Sequence, residues 1–263
     1  MSTQKTSHLE RTAAEPRAKN NQFLPGQWLD TFVPGTPKAG GFTITSPPSA
    51  ASGEPCPYLE LAVQESPDNL PAAWLWRPRD EILGATLKVR IGGSFVFPPP
   101  GLDVGSLRSV VFVAGGVGIN PLMSMLSYMG EKMKEFSRME VRLAYASKMP
   151  SGGLGKVVFL DRITRLFGEG KVKGSIDVFA TGSSEEVPGD GRRDMNGTEA
   201  RLHGRRLSIA DLKALIDPGA HDLNSTIVYV CGPPTMTDEL VATLTSKDGL
   251  GMDPKRVMTE KWW

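Results

Sequence analysis

The sequence contains only two cysteines among 263 residues, Cys56 and Cys231, and neither lies in a cluster with metal-ligand spacing. This scarcity argues against a disulfide scaffold and a cysteine-ligated zinc site, and it fits a reducing compartment. The sequence also lacks any apolar run long enough to cross a bilayer. We therefore predict that the chain has no metal site and no membrane-spanning helix.

An excess of charge of one sign is also missing, because 30 basic residues face 29 acidic ones and the formal net charge is +1. A balanced surface exerts no general attraction on nucleic acid or on an anionic membrane, so we expect neither partner. The three histidines, His8, His203 and His221, stand in polar contexts without matching catalytic partners. We predict that all three are surface residues.

The first 22 residues are polar and rich in hydroxyl groups, and they mix basic with acidic side chains. This composition predicts a disordered leader over residues 1–22, with the remnant of a targeting peptide as the alternative. Residues 23–100 are rich in proline and glycine, and turn residues separate their short apolar runs at 27–33, 41–45, 58–64 and 86–91. That spacing predicts a small antiparallel sheet or barrel, followed by a proline-rich linker at residues 98–101.

Residues 101–263 alternate strand-like runs with helical patterns. The predicted strands are 110–114, 141–146, 175–180, 226–230 and 256–258, and the predicted helices lie near 121–136, 156–167, 208–216 and 234–246. This alternation indicates an α/β fold, a Rossmann-like parallel sheet with helices on both faces, which binds ligands at the carboxyl ends of its strands. Glycine and charged residues interrupt the pattern at 182–206, where we expect a solvated excursion.

The first motif of the α/β half joins the strand at 110–114 to a glycine turn and an amphipathic helix. Its G-x-G-x-x-P pattern lets the backbone bend tightly and approach a phosphate, and the amides of the following helix favour the anion. We predict that Asn120 is the N-cap and Pro121 the first helical residue. The alternative is a buried corner in which glycine serves only close packing. The motif consists of Gly115, Gly116, Val117, Gly118, Ile119, Asn120 and Pro121.

A second strand, tight turn and helix start runs from residue 226 through Cys231, Gly232 and Pro233 to Met236. In a parallel sheet the strands that carry both turns can end side by side, so the turns would contact one nucleotide from two sides. Cys231 would then stand where a small polarisable group can touch a planar ring. Its alternative role is that of a buried structural cysteine.

The two turns and the terminal Glu260-Lys261-Trp262-Trp263 have the order and separation found in the ferredoxin-NADP reductase superfamily, which residues 23–263 resemble. The resemblance implies a barrel that binds FAD, followed by a nicotinamide-nucleotide domain at residues 101–263, with hydride transfer between the two rings. It assigns the diphosphate to the glycine turn and the nicotinamide side to Cys231, Gly232 and Pro233, with Met236 as helical support. It also implies that Trp262 or Trp263 shields the flavin, although these residues could equally anchor the last strand. Cys231 and Trp263 are thus the candidate catalytic residues.

The barrel half departs from the superfamily pattern. The R-x-Y-S/T flavin motif aligns with residues 40–43, so glycine replaces the phosphate-binding arginine, while Phe42 and Thr43 remain as candidate flavin contacts. A second phosphate motif is not recognisable at residues 70–73, and superfamily barrels begin with further strands. We therefore expect an N-terminally shortened, incomplete barrel and weakened FAD binding.

Ser147 and Lys148 follow the second strand of the α/β half, where a basic side chain can meet a 2′-phosphate. We predict NAD as the cofactor, with NADP as the alternative. The leading hypothesis is a NAD(P)H-dependent flavin-linked oxidoreductase, and the rival is a non-catalytic NAD(H)-binding sensor or scaffold without flavin. The resemblance suggests mitochondria, with the cytoplasm as the alternative. The electron acceptor and the oligomeric state are not specified by the sequence.

Overall fold

The structure, a computed structural model, describes residues 4–10 (backbone only), 22–53, 56–182, 189–216 and 222–262. The strands are β1 (Gln4–Glu10), β2 (Trp28–Phe32), β3 (Gly40–Thr43), β4 (Tyr58–Gln64), β5 (Lys88–Gly92), β6 (Ser109–Gly115), β7 (Glu140–Lys148), β8 (Gly174–Thr181), β9 (Gly191–Met195), β10 (Thr198–His203), β11 (Thr226–Gly232) and β12 (Val257–Lys261). The helices are α1 (Leu70–Leu75), α2 (Arg79–Ile82), α3 (Ile119–Glu131), α4 (Leu160–Gly168), α5 (Ile209–Ile216) and α6 (Pro234–Thr245).

The larger sheet has seven strands in the order β12-β11-β6-β7-β8-β10-β9, and every neighbouring pair is parallel except β10 and β9. Strand β6 lies inside this sheet, between β11 and β7, and is fully buried, which explains its unbroken apolar sequence. Val110 and Phe112 face one core cluster, whereas Val111 and Val113 face the other, as the two-residue period of a strand requires. The predicted α/β fold is confirmed.

The barrel half consists of a three-stranded antiparallel sheet, β3-β2-β5, and the antiparallel pair β1-β4. An isolated bridge between Ile44 and Leu61 links the two sheets. A third core cluster, which includes Leu29 and Trp74, fills the space between the strands and α1. The predicted antiparallel character of this half is therefore confirmed.

Three expectations need correction. Residues 4–10 form β1, in register with the edge of β4, because that edge offers unpaired backbone groups; residues 1–3 and 11–21 of the predicted leader lie outside the described residues. Within the predicted excursion, β9 and β10 extend the sheet, since Ala200 and Leu202 are alternately buried. Helix α3 ends at Glu131, not near 136, so Met133 is 46% exposed.

A polar stripe on α3 joins the two halves of the molecule. Asn120 Nδ2 donates to the Ala62 carbonyl at 2.9 Å, and Ser124 Oγ donates to the Ser46 carbonyl at 2.7 Å. Further along the helix, Glu131 accepts a hydrogen bond of 2.7 Å from Ser49. Residues 120, 124 and 131 are four and seven positions apart, about one and two helical turns, so they share one face of α3 and fix the helix and the glycine turn at its start against the barrel half.

Candidate functional site

The two glycine turns lie side by side at the carboxyl ends of β6 and β11, where Ala114 is in register with Cys231. Any side chain at Gly118 would overlap the neighbouring strand, because a Cβ there would lie 2.0 Å from the Cys231 carbonyl oxygen. Met236 of α6 packs against both turns, because a Cβ built on Gly115 would lie 2.8 Å from the Met236 Cε atom and a Cβ built on Gly232 would lie 2.5 Å from it. The structure thus brings together the two motifs that the sequence predicted to share a ligand.

The start of α3 is arranged for an anion. Gly118 is the N-cap and supplies no side-chain cap, so the first-turn amides are not covered by a capping side chain. Gly116 is exposed, has a φ of 55°, and would have open space around a Cβ. Backbone amides with this access, at the positive end of a 13-residue helix, fit a nucleotide diphosphate.

The predicted N-cap role of Asn120 is wrong. Asn120 is the second residue of α3 and its side chain reaches Ala62 of the barrel half, while Pro121 follows as the third helical residue. Pro121 still lies in the first turn, where a missing amide breaks no helical hydrogen bond. Asn120 therefore ties the phosphate-binding turn to β4 rather than capping the helix.

The start of α6 offers a different surface. Pro233 is its N-cap and Pro234 its first residue, so two amides that other helices would present are absent. The hydroxyl of Thr237, a buried residue, donates to the Gly232 carbonyl at 3.3 Å and holds the turn closed. This turn therefore presents an apolar surface and fewer free amides than the start of α3.

Cys231 is fully buried beneath the C-terminal strand, and Glu260 is its register partner on β12. Burial raises the pKa of the Cys231 thiol, and the neighbouring Glu260 carboxylate raises it further. Trp262 donates its backbone amide to the Gly232 carbonyl at 3.2 Å, which places the indole beside both groups. Cys231 is thus a neutral thiol and not an ionised nucleophile.

Glu260 was missed as a site residue in the sequence, although it stands in the terminal motif. Burial raises its carboxyl pKa from 4.5 to about 7, and the nearby Trp262 N–H opposes that shift. Neither Glu260 Oε2 nor Trp262 Nε1 has a hydrogen-bond partner of sound geometry among the described residues, although both atoms are buried. A ligand with hydrogen-bonding edges would satisfy both.

Substitution of Glu260 by glutamine should stabilise the protein at high pH. Because the folded-state pKa is raised, ionisation opposes folding; the free energy of unfolding falls as the pH rises from 4.5 to about 7, and the loss is complete above pH 7. We expect the free energy of unfolding of Glu260→Gln to exceed that of the wild type by about 1–2 kcal/mol at pH 8 and to equal it at pH 4.5.

Thermal unfolding at the two pH values measures this difference, and Glu239→Gln on the exposed face of α6 is the control. A stabilisation of Glu260→Gln that is the same at both pH values would contradict the assigned ionisation.

The remaining predicted site residues have varied positions. Ser147 and Lys148 end β7 at the same sheet edge as the glycine turns, with Lys148 exposed, and Trp263 lies outside the described residues. His203, predicted to be a surface residue, instead stacks on Phe179 at 4.4 Å, and its Nε2 lies 2.9 Å from Asp177. The pairing of β8 with β10, which the sequence did not show, brings these residues together.

Phe42 and Thr43 lie on β3 of the barrel half. Thr43 is buried, while the Phe42 ring lies over Gly40 and against Pro71 of α1. The residues fit FAD only in part: buried polar atoms at the end of β12 suit a flavin ring, whereas the side of Gly40 that would receive the FAD phosphates is filled. The structure describes no helix long and apolar enough to cross a membrane and, in the same ranges, no group of metal-ligating side chains.

Comparison with known proteins places this geometry in context. No protein-family model matches the chain. Oxidoreductase NAD-binding domain-containing protein 1 from Bos taurus is 32% identical over 252 residues, which cover 93% of this chain and 73% of that protein.

Solved structures show the same fold. The CS-b5R domains of human Ncb5or in the NAD+ form superpose with a TM-score of 0.67 at 17% identity, over 98% of this chain and 65% of that one. Ferredoxin-NADP+ reductase from Plasmodium falciparum gives a TM-score of 0.55 at 14% identity, over 98% of this chain and 89% of that one. The fold is therefore ferredoxin reductase-like, as the sequence predicted.

Proposed function

This chain belongs to the family of oxidoreductase NAD-binding domain-containing protein 1, and we propose that it is a NAD(P)H-dependent oxidoreductase that passes hydride from the nicotinamide to a flavin. The observation that carries the proposal is the contact between the two glycine turns, one with uncapped helix amides and the other with an apolar surface. The name of the bovine relative and the ferredoxin reductase-like fold support an oxidoreductase role.

Each turn has a distinct task in this proposal. The amides at the start of α3 bind the diphosphate, and Gly116 lets it approach the backbone. The turn at Gly232 and Pro233 positions the nicotinamide ring, with Met236 filling the space behind it. A reduced nicotinamide supplies a hydride from C4 when bound, and the chain supplies position and exclusion of water.

The choice between NAD and NADP is assigned to the end of β7. Lys148 is exposed there, so it can reach a 2′-phosphate, whereas the family name of the relative favours NAD. We propose NAD as the first choice. The mitochondrial location stays a prediction.

A second candidate function is a nucleotide-binding module without catalysis. The filled space at Gly40 favours it, because that half of the molecule offers little for an FAD phosphate. The two candidates differ in one readout: both bind NADH, but only the oxidoreductase consumes it.

Cys231→Ala separates binding from turnover. We expect NADH affinity, measured by calorimetry, to stay within about twofold of the wild type, because the diphosphate contacts come from α3. Hydride transfer should fall about tenfold or more, because the ring loses the group packed behind it and its distance to the acceptor becomes less well defined.

Absence of NADH and NADPH binding by the folded wild-type protein would overturn the proposed function. Unchanged turnover in Cys231→Ala would remove Cys231 from the catalytic residues and leave the cysteine structural.

A further inference from the structure

The phosphate side of the barrel half is closed by the protein's own atoms. A Cβ placed on Gly40 would lie 2.6 Å from Phe42 Cε2 and 2.7 Å from Pro71 Cβ. Because an aromatic ring and a proline ring fill this space, no longer side chain fits at position 40 unless both residues move. The position that the superfamily resemblance assigns to a phosphate-binding arginine thus has neither charge nor room.

The amides of α1 cannot compensate for that loss. Asn69 caps the helix, and its Oδ1 accepts a hydrogen bond of 3.3 Å from the Ala72 amide. The Ala73 amide donates to the Asn69 carbonyl at 2.8 Å, and Pro71 has no amide hydrogen. Three of the first four residues of α1 therefore offer no donor to an anion.

The neighbouring strands supply no buried cation either. Across β2, β3, β4 and β5, whose side chains the structure describes, the basic residues are Lys88 and Arg90, both exposed on β5. Arg90 is engaged in an ion pair with Asp30 of β2. An FAD diphosphate would meet apolar rings, and amides that already donate hydrogen bonds, in this half. It would lack the charge-assisted hydrogen bonds that hold such groups tightly.

The end of β12 differs in character from the region around Gly40. The carboxylate of Glu260 and the indole N–H of Trp262 are buried polar groups that lack a partner of sound geometry among the described side chains. They provide one acceptor and one donor, which match the imide and carbonyl edges of a flavin ring. Recognition is thus available for the tricyclic ring and withheld from the phosphates.

We propose that this protein takes flavin as a diffusing substrate, recognised through its ring system, and does not retain FAD as a tightly bound cofactor. The proposal rests on the oxidoreductase function above. The C–H bond at nicotinamide C4 breaks, its hydride with two electrons forms an N–H bond at flavin N5, and a solvent proton adds at N1. NAD(P)H, a proton and oxidised flavin give NAD(P)+ and reduced flavin, which leaves.

The test uses the purified full chain. Flavin in a heat extract should be well below one per chain, and NADH oxidation should require added flavin. The KM values for riboflavin, FMN and FAD should agree within about threefold, because a single charge-assisted phosphate bond would separate riboflavin from FMN about tenfold or more. Trp262→Phe, which removes the indole donor, should raise all three KM values together, while Thr36→Val, on the surface turn after β2, should leave them unchanged.

The outcomes separate this inference from the proposed function. Stoichiometric FAD in the purified protein, or a riboflavin KM more than about tenfold above that of FMN or FAD, overturns the inference and leaves the oxidoreductase intact. NADH binding without oxidation of NADH by any of the three flavins overturns both the inference and the proposed oxidoreductase function, in favour of the non-catalytic module. Loss of NADH binding itself counts against the proposed function instead.

Discussion

Gly118→Ala is expected to lower the free energy of unfolding by about 3 kcal/mol and to weaken NADH binding about 100-fold. The new Cβ would lie 2.0 Å from the Cys231 carbonyl oxygen, 2.4 Å from its carbon and 2.9 Å from the Gly232 nitrogen. These are backbone atoms of a central parallel strand, so no side-chain rotation relieves the overlap. The end of β11 or the start of α3 must move, and either movement separates the two turns.

Substitutions of two other glycines provide a comparison for the effect of Gly118→Ala. Gly116→Ala has open space around its Cβ but a φ of 55°, so we expect about 1–2 kcal/mol of destabilisation from backbone strain alone. Gly155→Ala, at an exposed position with open space and no positive φ, should change neither stability nor binding. Urea denaturation and calorimetry with NADH measure both quantities. If Gly118→Ala behaves like Gly155→Ala, the two turns are not in contact.

The sequence predicted the glycine turns well because their chemistry is local. A strand, a glycine turn and an amphipathic helix lie within the 23 consecutive residues 109–131, and neighbouring parallel strands then bring Gly118 next to Cys231. Glu260 shows what a local sequence pattern cannot predict. Its raised pKa comes from burial beside β11, and burial depends on which strands become neighbours.

The errors share the same origin. Asn120 is a residue type that often caps helices and stands near the start of α3, but its side-chain amide donates to the Ala62 carbonyl, 58 residues earlier in the chain. His203 acquires Asp177 and Phe179 only because β10 pairs with β8 across an insertion of mixed charge. Local propensity cannot reveal a hydrogen-bond partner that belongs to another element. Predictions for polar residues fail most often, because a polar side chain can hydrogen-bond to many different groups.

Arg162→Met should have the second large effect, because it removes the cation from a buried carboxylate between the two halves. The Glu60 side chain is 7% exposed, and its Oε2 accepts hydrogen bonds from Arg162 at 2.7 Å and from Thr45 at 2.8 Å. Arg162 also reaches Ser127 of α3 at 3.2 Å. Removal of one partner of a buried pair costs about 3–5 kcal/mol, and because Arg162 is itself 34% exposed we expect about 2–3 kcal/mol.

The same helix supplies the control. Arg165 pairs with Asp161 on α4, but both side chains are 61% exposed, so Arg165→Met should change stability by less than about 0.5 kcal/mol. The double variant Glu60→Leu/Arg162→Met removes both charges together and should recover most of the stability that Arg162→Met loses.

The measurement also tests whether the pair couples the two halves. In the wild type, tryptophan fluorescence, which reports partly on Trp74 in the barrel core, and far-ultraviolet circular dichroism of the α/β half should unfold together. In Arg162→Met, loss of the link between β4 and α4 should separate the two transitions, with the barrel half unfolding first because its core is the smaller. Coincident transitions with an undiminished midpoint in Arg162→Met would show that the contacts of α3 with the barrel half suffice to hold the halves together.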